Sequence, residues 1–415
     1  MPRTAWLELD LDALAANVGL VRELVGPGVA VEPVVKADAY GHGMVPIARA
    51  LVGIGVDGLC VAALDEALVL RRAGIDTPIT VLYPIPSDLA IEAVRARVAV
   101  AGGEPGRLRA LLDALAAADG GRDAQPLDIE LEIETGLGRG GTDPRGAIAA
   151  ASALAASPHA RLAGVWTHLQ ASEVPTTTAA QVARFDAALA ELRAAGFDVR
   201  RRHLAASGGI LVPDIPVYDG VRPGLMTYGI APDEFAGGAI PAADRLRPVM
   251  SLHARPVRVA ELETGHGVSY GPTWRAARRS RIATLPIGYG DGWSRALSNR
   301  AEALVRGRRV PIVGNVAMDA IMVDVTDVPG RPVDAADEFV LLGTQGEDRI
   351  TAADLARTRT TNSWEVVTNM SARLPRVYHA SAGLMAVRML SGGEERWLGS
   401  SSGTATSATS RSTRS

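Results

Sequence analysis

The stretch VAVEPVVKADAYGHG, residues 29–43, decides the fold class. An apolar run of strand length stops at Lys36. A strand opening a doubly wound dinucleotide fold would carry a G-x-G-x-x-G turn at this point. Here the glycines arrive only at 41 and 43, behind a lysine and a tyrosine. Outward from this run the alternation repeats. Strand-like runs fall at about 57–62, 78–83, 97–101, 127–133, 162–168, 199–204 and 224–230, separated by Ala-rich segments of helical period. Three of these segments are clear: DLAIEAVRAR behind Pro86 and Ser87, RLRALLDALAAA at 107–118, and AAQVARFDAALAELRAAG ending at Gly196. Eight strands alternating with helices predict an α/β fold, a closed parallel (β/α)8 barrel of TIM type.

After about residue 240 the texture changes. MSLHARPVRVAEL, RIATLPIGYG, EALVRGRRVPIVG and AMDAIMVDVTDV are β-rich, punctuated by Gly and Pro, with little helix between them. The expected organisation is a barrel over 1–240 and a mainly antiparallel β domain over 241–395. The Ser/Thr-rich tail, 396–415, has no apolar period and is expected to be disordered. The opening strand, within residues 1–10, is free to pair with either domain.

Composition excludes several classes. The chain has 415 residues, 47% hydrophobic and 21% charged, near ordinary globular values. A net charge of −3 gives no electrostatic reason to expect nucleic acid as a partner. The single cysteine, Cys60, excludes an intrachain disulfide and a Cys-based metal site, and no metal is expected. No apolar run reaches the ~18–20 residues of a membrane span, and the N-terminus has no signal-peptide core. A soluble, cytoplasmic protein is the expectation.

In a barrel the chemistry gathers at the C-terminal ends of the strands. Those ends carry Lys36, Glu132 and Arg139, His168, His203 and Ser207, with Arg222-Pro223-Gly224 leading into the eighth run. A lysine at the inner end of an apolar strand has its pKa lowered by burial, and the neutral amine can form a Schiff base with an aldehyde. Ser207-Gly208-Gly209 and Gly224-Leu225 offer a hydroxyl and backbone N–H groups for a phosphate. An aromatic aldehyde with a phosphate is pyridoxal 5′-phosphate (PLP). On the residues alone, a PLP enzyme and another carbonyl-phosphate enzyme both remain open.

Eight ordered motifs carry a resemblance: VVKADAYGHG (34–43), ETGLGR (134–139), GVWTHL (164–169), VRPGLMTYG (221–229), GVSYG (267–271), PIGYGDG (286–292), VAMDAIMVDVTD (316–327) and RLPRVY (373–378). Together they resemble the alanine racemase family over nearly the whole chain to about residue 390. The resemblance implies an amino-acid racemase, an isomerase supplying D-alanine for cell-wall precursors, acting as a homodimer with shared active sites. It implies that Lys36 carries PLP, that Tyr40, Ser207, Gly224, Leu225 and Tyr228 hold its phosphate, that His168 lies near the ring, and that Arg222 faces the pyridine nitrogen. Lys36 and Tyr270 become the two bases on opposite faces of the substrate Cα. Arg139 and the backbone N–H of Met318 bind the substrate carboxylate, and Tyr289 lines the entry.

The chain departs from the family at four places. Many members have a lysine, carried as a carbamate, where Glu132 stands; here Glu132 is expected to supply directly the charge that orients Arg139. Ala206 replaces a usual Asn, Ala317 a frequent Cys, and Ala372 a Tyr found in some members. These departures keep alive a related enzyme acting on serine or a bulkier amino acid in specialised metabolism. A barrel-type PLP decarboxylase would lack GVSYG and would need an acid in place of Arg222. A single-barrel PLP carrier would have no β domain.

Overall fold

The computed structural model of the chain describes residues 3–118, 125–235 and 240–392. The Ser/Thr-rich tail lies outside the described residues. Strand β1 (Ala5–Asp10) does not join the barrel. It runs antiparallel to Met250–Ala254 and parallel to Arg376–Ala380, within the C-terminal sheet. Eight parallel strands follow: β2 (Ala30–Val31), β3 (Leu59–Val61), β4 (Ile79–Val81), β5 (Ala99–Gly102), β6 (Leu127–Glu132), β7 (Ala160–Trp166), β8 (Arg202–Ala206) and β9 (Gly220–Arg222). They are ordered β2-β9-β8-β7-β6-β5-β4-β3, and a parallel bridge between Val34 and Cys60 closes the ring. This is the barrel the alternation predicts.

Two strand expectations change. The run 224–230 is not a strand. The last barrel strand is β9, and Leu225–Tyr228 coil into a 3-10 turn. Pro223 has no N–H to continue a ladder, so the chain turns immediately after Arg222. Arg222 therefore ends the strand instead of leading into one. The run 29–35 is also shorter than expected. Only Ala30–Val31 form a ladder, and beyond Pro33 only the closing bridge at Val34 remains.

The three clearest helical segments form at Ala90–Ala96, Pro105–Ala117 and Pro175–Ala194. Their ends follow local chemistry. The Glu104 carboxylate accepts from the N–H groups of Gly106 and Arg107 ahead of a Pro at the first helical position. Gly196 takes the left-handed conformation just beyond the end of the third helix. No helix among the described residues is long and apolar enough to cross a membrane.

The C-terminal sheet is antiparallel except where β1 meets Arg376–Ala380. It is interrupted by two helices, Ala352–Arg359 and Ser363–Thr368, which the β-rich texture did not predict. The second helix docks on the barrel mouth: the Ser363 N–H donates to Asp233 at 2.8 Å, and Trp364 and Thr368 reach the pocket described below.

Two fully buried histidines make stability depend on acidity. Burial lowers His42 and His203 to about 4, the nearby charge of Arg222 adding to the effect at His203. The unfolded chain binds protons at both near pH 6.5, while the fold refuses them until about pH 4. Stability is therefore lost as pH falls below 6.5, by roughly 1.4 kcal/mol per pH unit for each histidine. His168, held neutral by its burial and by neighbouring cations, loses stability over the same range, so the decline from pH 6.5 to 5 reports three histidines together. Denaturant unfolding at pH 7, 6 and 5 should show the decline; a flat profile would mean that these rings are not held neutral.

Candidate active site

The backbone after Lys36 is unusual. Ala37, Asp38, Ala39 and Tyr40 have φ values of 53°, 55°, 55° and 52°, one turn of left-handed helix built from residues that are not glycine. At 1–2 kcal/mol per residue such a turn costs about 4–8 kcal/mol. Hydrogen bonds at both ends of the turn offset part of that cost. The Ala39 N–H donates to the Val35 carbonyl (2.9 Å), Gly43 N–H to the Asp38 carbonyl (2.7 Å), and Met44 N–H to Asp38 Oδ1 (2.8 Å). The Ala37 N–H donates to Glu66 Oε1 at 2.7 Å. The turn places Lys36 at one side of the barrel mouth and the Tyr40 ring at another.

A pocket of about 430 Å³ opens there. Its walls include Lys36, Tyr40, Tyr83, Arg139, Trp166, His168, Ala206, Ser207, Arg222, Gly224 and Leu225. Burial, with the charge of Arg139, pushes the Lys36 ammonium below its ordinary pKa and favours the neutral amine. His168 is lowered to about 3 by burial and by the charges of Arg222, Arg139 and Lys36, so its ring is neutral.

On the opposite wall Ser207 Oγ accepts from the N–H groups of Gly224 (2.9 Å) and Met226 (3.2 Å). A Cβ at Gly224 would lie 2.7 Å from Tyr40 Oη, so glycine is required for this approach. Two hydroxyls and a turn of backbone thus meet at one corner, and a lysine and a buried guanidinium lie at the others. That donor set fits PLP: an amine for the aldehyde, a cation for the ring nitrogen, and a polar cradle for the phosphate.

Arg222 is fully buried and held from below. It donates to the Thr167 carbonyl (2.8 Å) and to His203 Nδ1, and its guanidinium lies 4.7 Å from the Trp166 ring centroid. A guanidinium has no acceptor, so His203 Nδ1 accepts, and Nε2 carries the proton that it donates to Glu130 Oε2 at 2.9 Å. Glu130 also accepts from Arg201 (2.5 Å), which pairs in turn with Glu32. These five residues come from β9, β8, β6 and the ends of β2 and β8, so they meet through the barrel interior. Strand β6 thus carries a buried charge at Glu130, held by His203 and Arg201. Glu32, Glu130 and Arg201 are additions that the strand-end reading missed. The signal for Glu32 and Glu130 was a charge inside VAVEPVV and LDIELEI, where apolar residues should have stood; Arg201 had no comparable signal.

The other expectations divide. Tyr228 is not at the pocket wall. Its hydroxyl donates to the Val34 carbonyl at 2.9 Å, and its ring packs 5.1 Å from that of Tyr40. It supports Tyr40 from behind. Glu132 is buried near the mouth, its carboxyl pushed up by burial against the opposing charges of Arg139 and Arg222. Among the described residues no hydrogen bond joins it to Arg139, whose guanidinium lies 5.6 Å from the Tyr83 ring centroid. Tyr270, Tyr289 and Met318 do not line this pocket at all. They stand on the β domain with 78%, 44% and 52% of their surfaces exposed.

Lys36 stands alone in its residue type. It is the only lysine of the 415 residues; the other 42 of the 43 basic Lys and Arg residues are arginines. Trp364 and Thr368, which complete one edge of the pocket, had no local signal, because the helix that carries them reaches the mouth only through tertiary packing.

A closed barrel with a lone lysine at its mouth, joined to an antiparallel β domain, defines a two-domain barrel enzyme with amine chemistry. Two family models match the chain: "Alanine racemase, N-terminal domain" over residues 9–232 and "Alanine racemase, C-terminal domain" over 249–378. The alanine racemase of Symbiobacterium thermophilum is 41% identical over 91% of this chain and 97% of its own length. That of Thermobifida fusca is 40% identical over 91% and 99%. The crystal structure of alanine racemase from Bacillus anthracis with bound L-Ala-P superposes with a TM-score of 0.86 at 33% identity, covering 93% of this chain and 97% of that one. The chain belongs to the alanine racemase family.

Proposed function

We propose that this protein is a cytoplasmic, homodimeric racemase that interconverts L- and D-alanine with PLP held by Lys36. The observation that carries the proposal is the meeting of the only lysine, a buried arginine and the Tyr40–Ser207–Gly224 cradle in one pocket of a chain that spans nearly the whole length of its alanine racemase relatives. When bound, PLP supplies an electron sink that acidifies the Cα–H of an attached amino acid. The chain's own residues do the rest. Tyr40, Ser207 and the backbone at Gly224 and Leu225 take the phosphate, with Tyr228 fixing Tyr40. Arg222 never releases its proton, so it donates to the ring nitrogen without protonating it.

Racemisation requires proton transfer on both faces of Cα. Lys36 Nζ serves one face. Tyr270 Oη serves the other, and its exposure on the β domain fits delivery into the pocket of a second copy. Met318 and Tyr289, exposed on the same domain, travel with it: the Met318 N–H and Arg139 bind the substrate carboxylate, and Tyr289 borders the entry. Glu132 contributes a negative field near Arg139 rather than a direct bond.

A second reading rests on Ala206, which lines the pocket with no polar side chain. A site edge depolarised in this way suits serine or a bulkier amino acid. Chiral analysis of the purified enzyme incubated with a panel of single L-amino acids separates the two. The D form should accumulate fastest from alanine. Faster racemisation of serine or a larger substrate would select the second reading, and no racemisation of any would reject both.

A further inference from the structure

We infer that the C-terminal domain positions its own chain's lysine, by holding the left-handed turn 37–40 in place through Arg376, Tyr378 and Arg388. This rests on the proposed role of Lys36 and extends it to residues outside the pocket. Of Ala37-Asp38-Ala39-Tyr40 only Asp38 tolerates positive φ readily, and a run of four such residues needs support from outside the turn. Three contacts supply it, all from the last two strands among the described residues, Arg376–Ala380 and Gly383–Arg388.

Arg388 Nη1 reaches both carboxylate oxygens of Asp38, at 2.8 and 2.7 Å. The same carboxylate caps Met44 N–H, so Arg388 fixes a group that closes the turn from its far end. Arg376 is buried and donates through Nε to the Gly41 carbonyl at 2.9 Å, while its other nitrogens are taken by the carbonyls of Met370, Ser371 and Leu374. The buried Tyr378 hydroxyl donates to the His42 carbonyl at 2.8 Å. The fit is close. A Cβ on Gly43 would stand 2.0 Å from that hydroxyl.

The turn sets the relation between Lys36 at its start and Tyr40 at its end. If its handedness relaxes, the amine and the phosphate-side hydroxyl no longer face one pocket. Arg376, Tyr378 and Arg388 are thus positioning residues. They touch neither substrate nor cofactor.

The test uses the full chain and does not depend on turnover. In Arg388→Gln, hydrogen exchange of the peptide spanning residues 37–44 in the cofactor-free protein should accelerate at least tenfold, with the remaining barrel peptides unchanged. Arg388→Lys should restore most of the protection. In the PLP-loaded enzyme Arg388→Gln should lower kcat more than tenfold with little change in KM. Asp38→Asn should reproduce both effects by removing the other half of the pair. Unchanged exchange in 37–44 would overturn the inference, and so would faster exchange with unchanged kcat. If the wild-type enzyme racemises nothing, the proposed function fails while the exchange experiment still reads the hold on the turn.

Discussion

Lys36→Ala is expected to abolish both covalent capture of PLP and racemisation, leaving a folded protein. Lys36 is the only lysine, so the variant has no ε-amine anywhere in its sequence. Arginines cannot take over, because a guanidinium does not lose its proton in this range. The loss of one base alone should cost roughly 10²–10⁴-fold in rate, and loss of covalent attachment adds to it. The substitution removes a half-buried side chain at the mouth and leaves the barrel's buried residues in place, so the unfolding transition should move little. Borohydride reduction with PLP followed by peptide mapping is the check. Wild type should carry the label on the peptide containing residue 36, and the variant should carry none. A label elsewhere, on the α-amine for instance, together with retained racemase activity would remove Lys36 from its proposed role.

Mixing two inactive variants should restore about one quarter of wild-type activity. Lys36→Ala and Tyr270→Phe homodimers should each retain only a residual rate. Refolded together from denaturant, random pairing makes half of the dimers mixed. In a mixed dimer one site lacks both bases and the other has both, so one site in four overall is complete. The structural reason is that Tyr270 is 78% exposed and stands apart from the pocket that holds Lys36 in the same chain. A tyrosine left so open in a single chain is available to cover a neighbour's barrel. If both bases came from one chain, every site in the mixture would lack one and no activity would return. Such a result would leave Lys36 in place and remove the shared site.

Much of this was legible from residue order. Strand runs separated by helical segments gave the barrel because a period of 2 and a period of 3.6 are local properties, readable over a few residues. Lys36, Ser207 and Arg222 could be placed at the mouth because they sit next to strand ends. The errors were local as well. The run 224–230 is apolar enough to read as a strand, but Pro223 ends the ladder and Tyr228 spends its hydroxyl on the Val34 carbonyl. Asp128, Glu130, Glu132 and Glu134 alternate along the sequence with apolar residues, yet their fates differ. Glu130 is buried against His203 and Arg201, Asp128 pairs with Arg161 nearer the surface, and Glu132 makes no bond to Arg139.

Residue order alone was enough for the class of fold, the division of the apolar runs and the identity of the lysine, since each depends on neighbours a few positions apart. Three things waited for the folded chain. Barrel closure carries Glu32 from the start of the barrel to Arg201 near its end, and so builds the buried line of charge beneath Arg222. The last two strands, more than 330 residues beyond Lys36, clamp the turn that the local sequence disfavours. The exposure of Tyr270 separates the two proposed bases within one chain. Each is a contact, or the lack of one, between segments remote in sequence. Only chain closure sets these, because a propensity acts over one turn or one strand and carries no information about what packs against it.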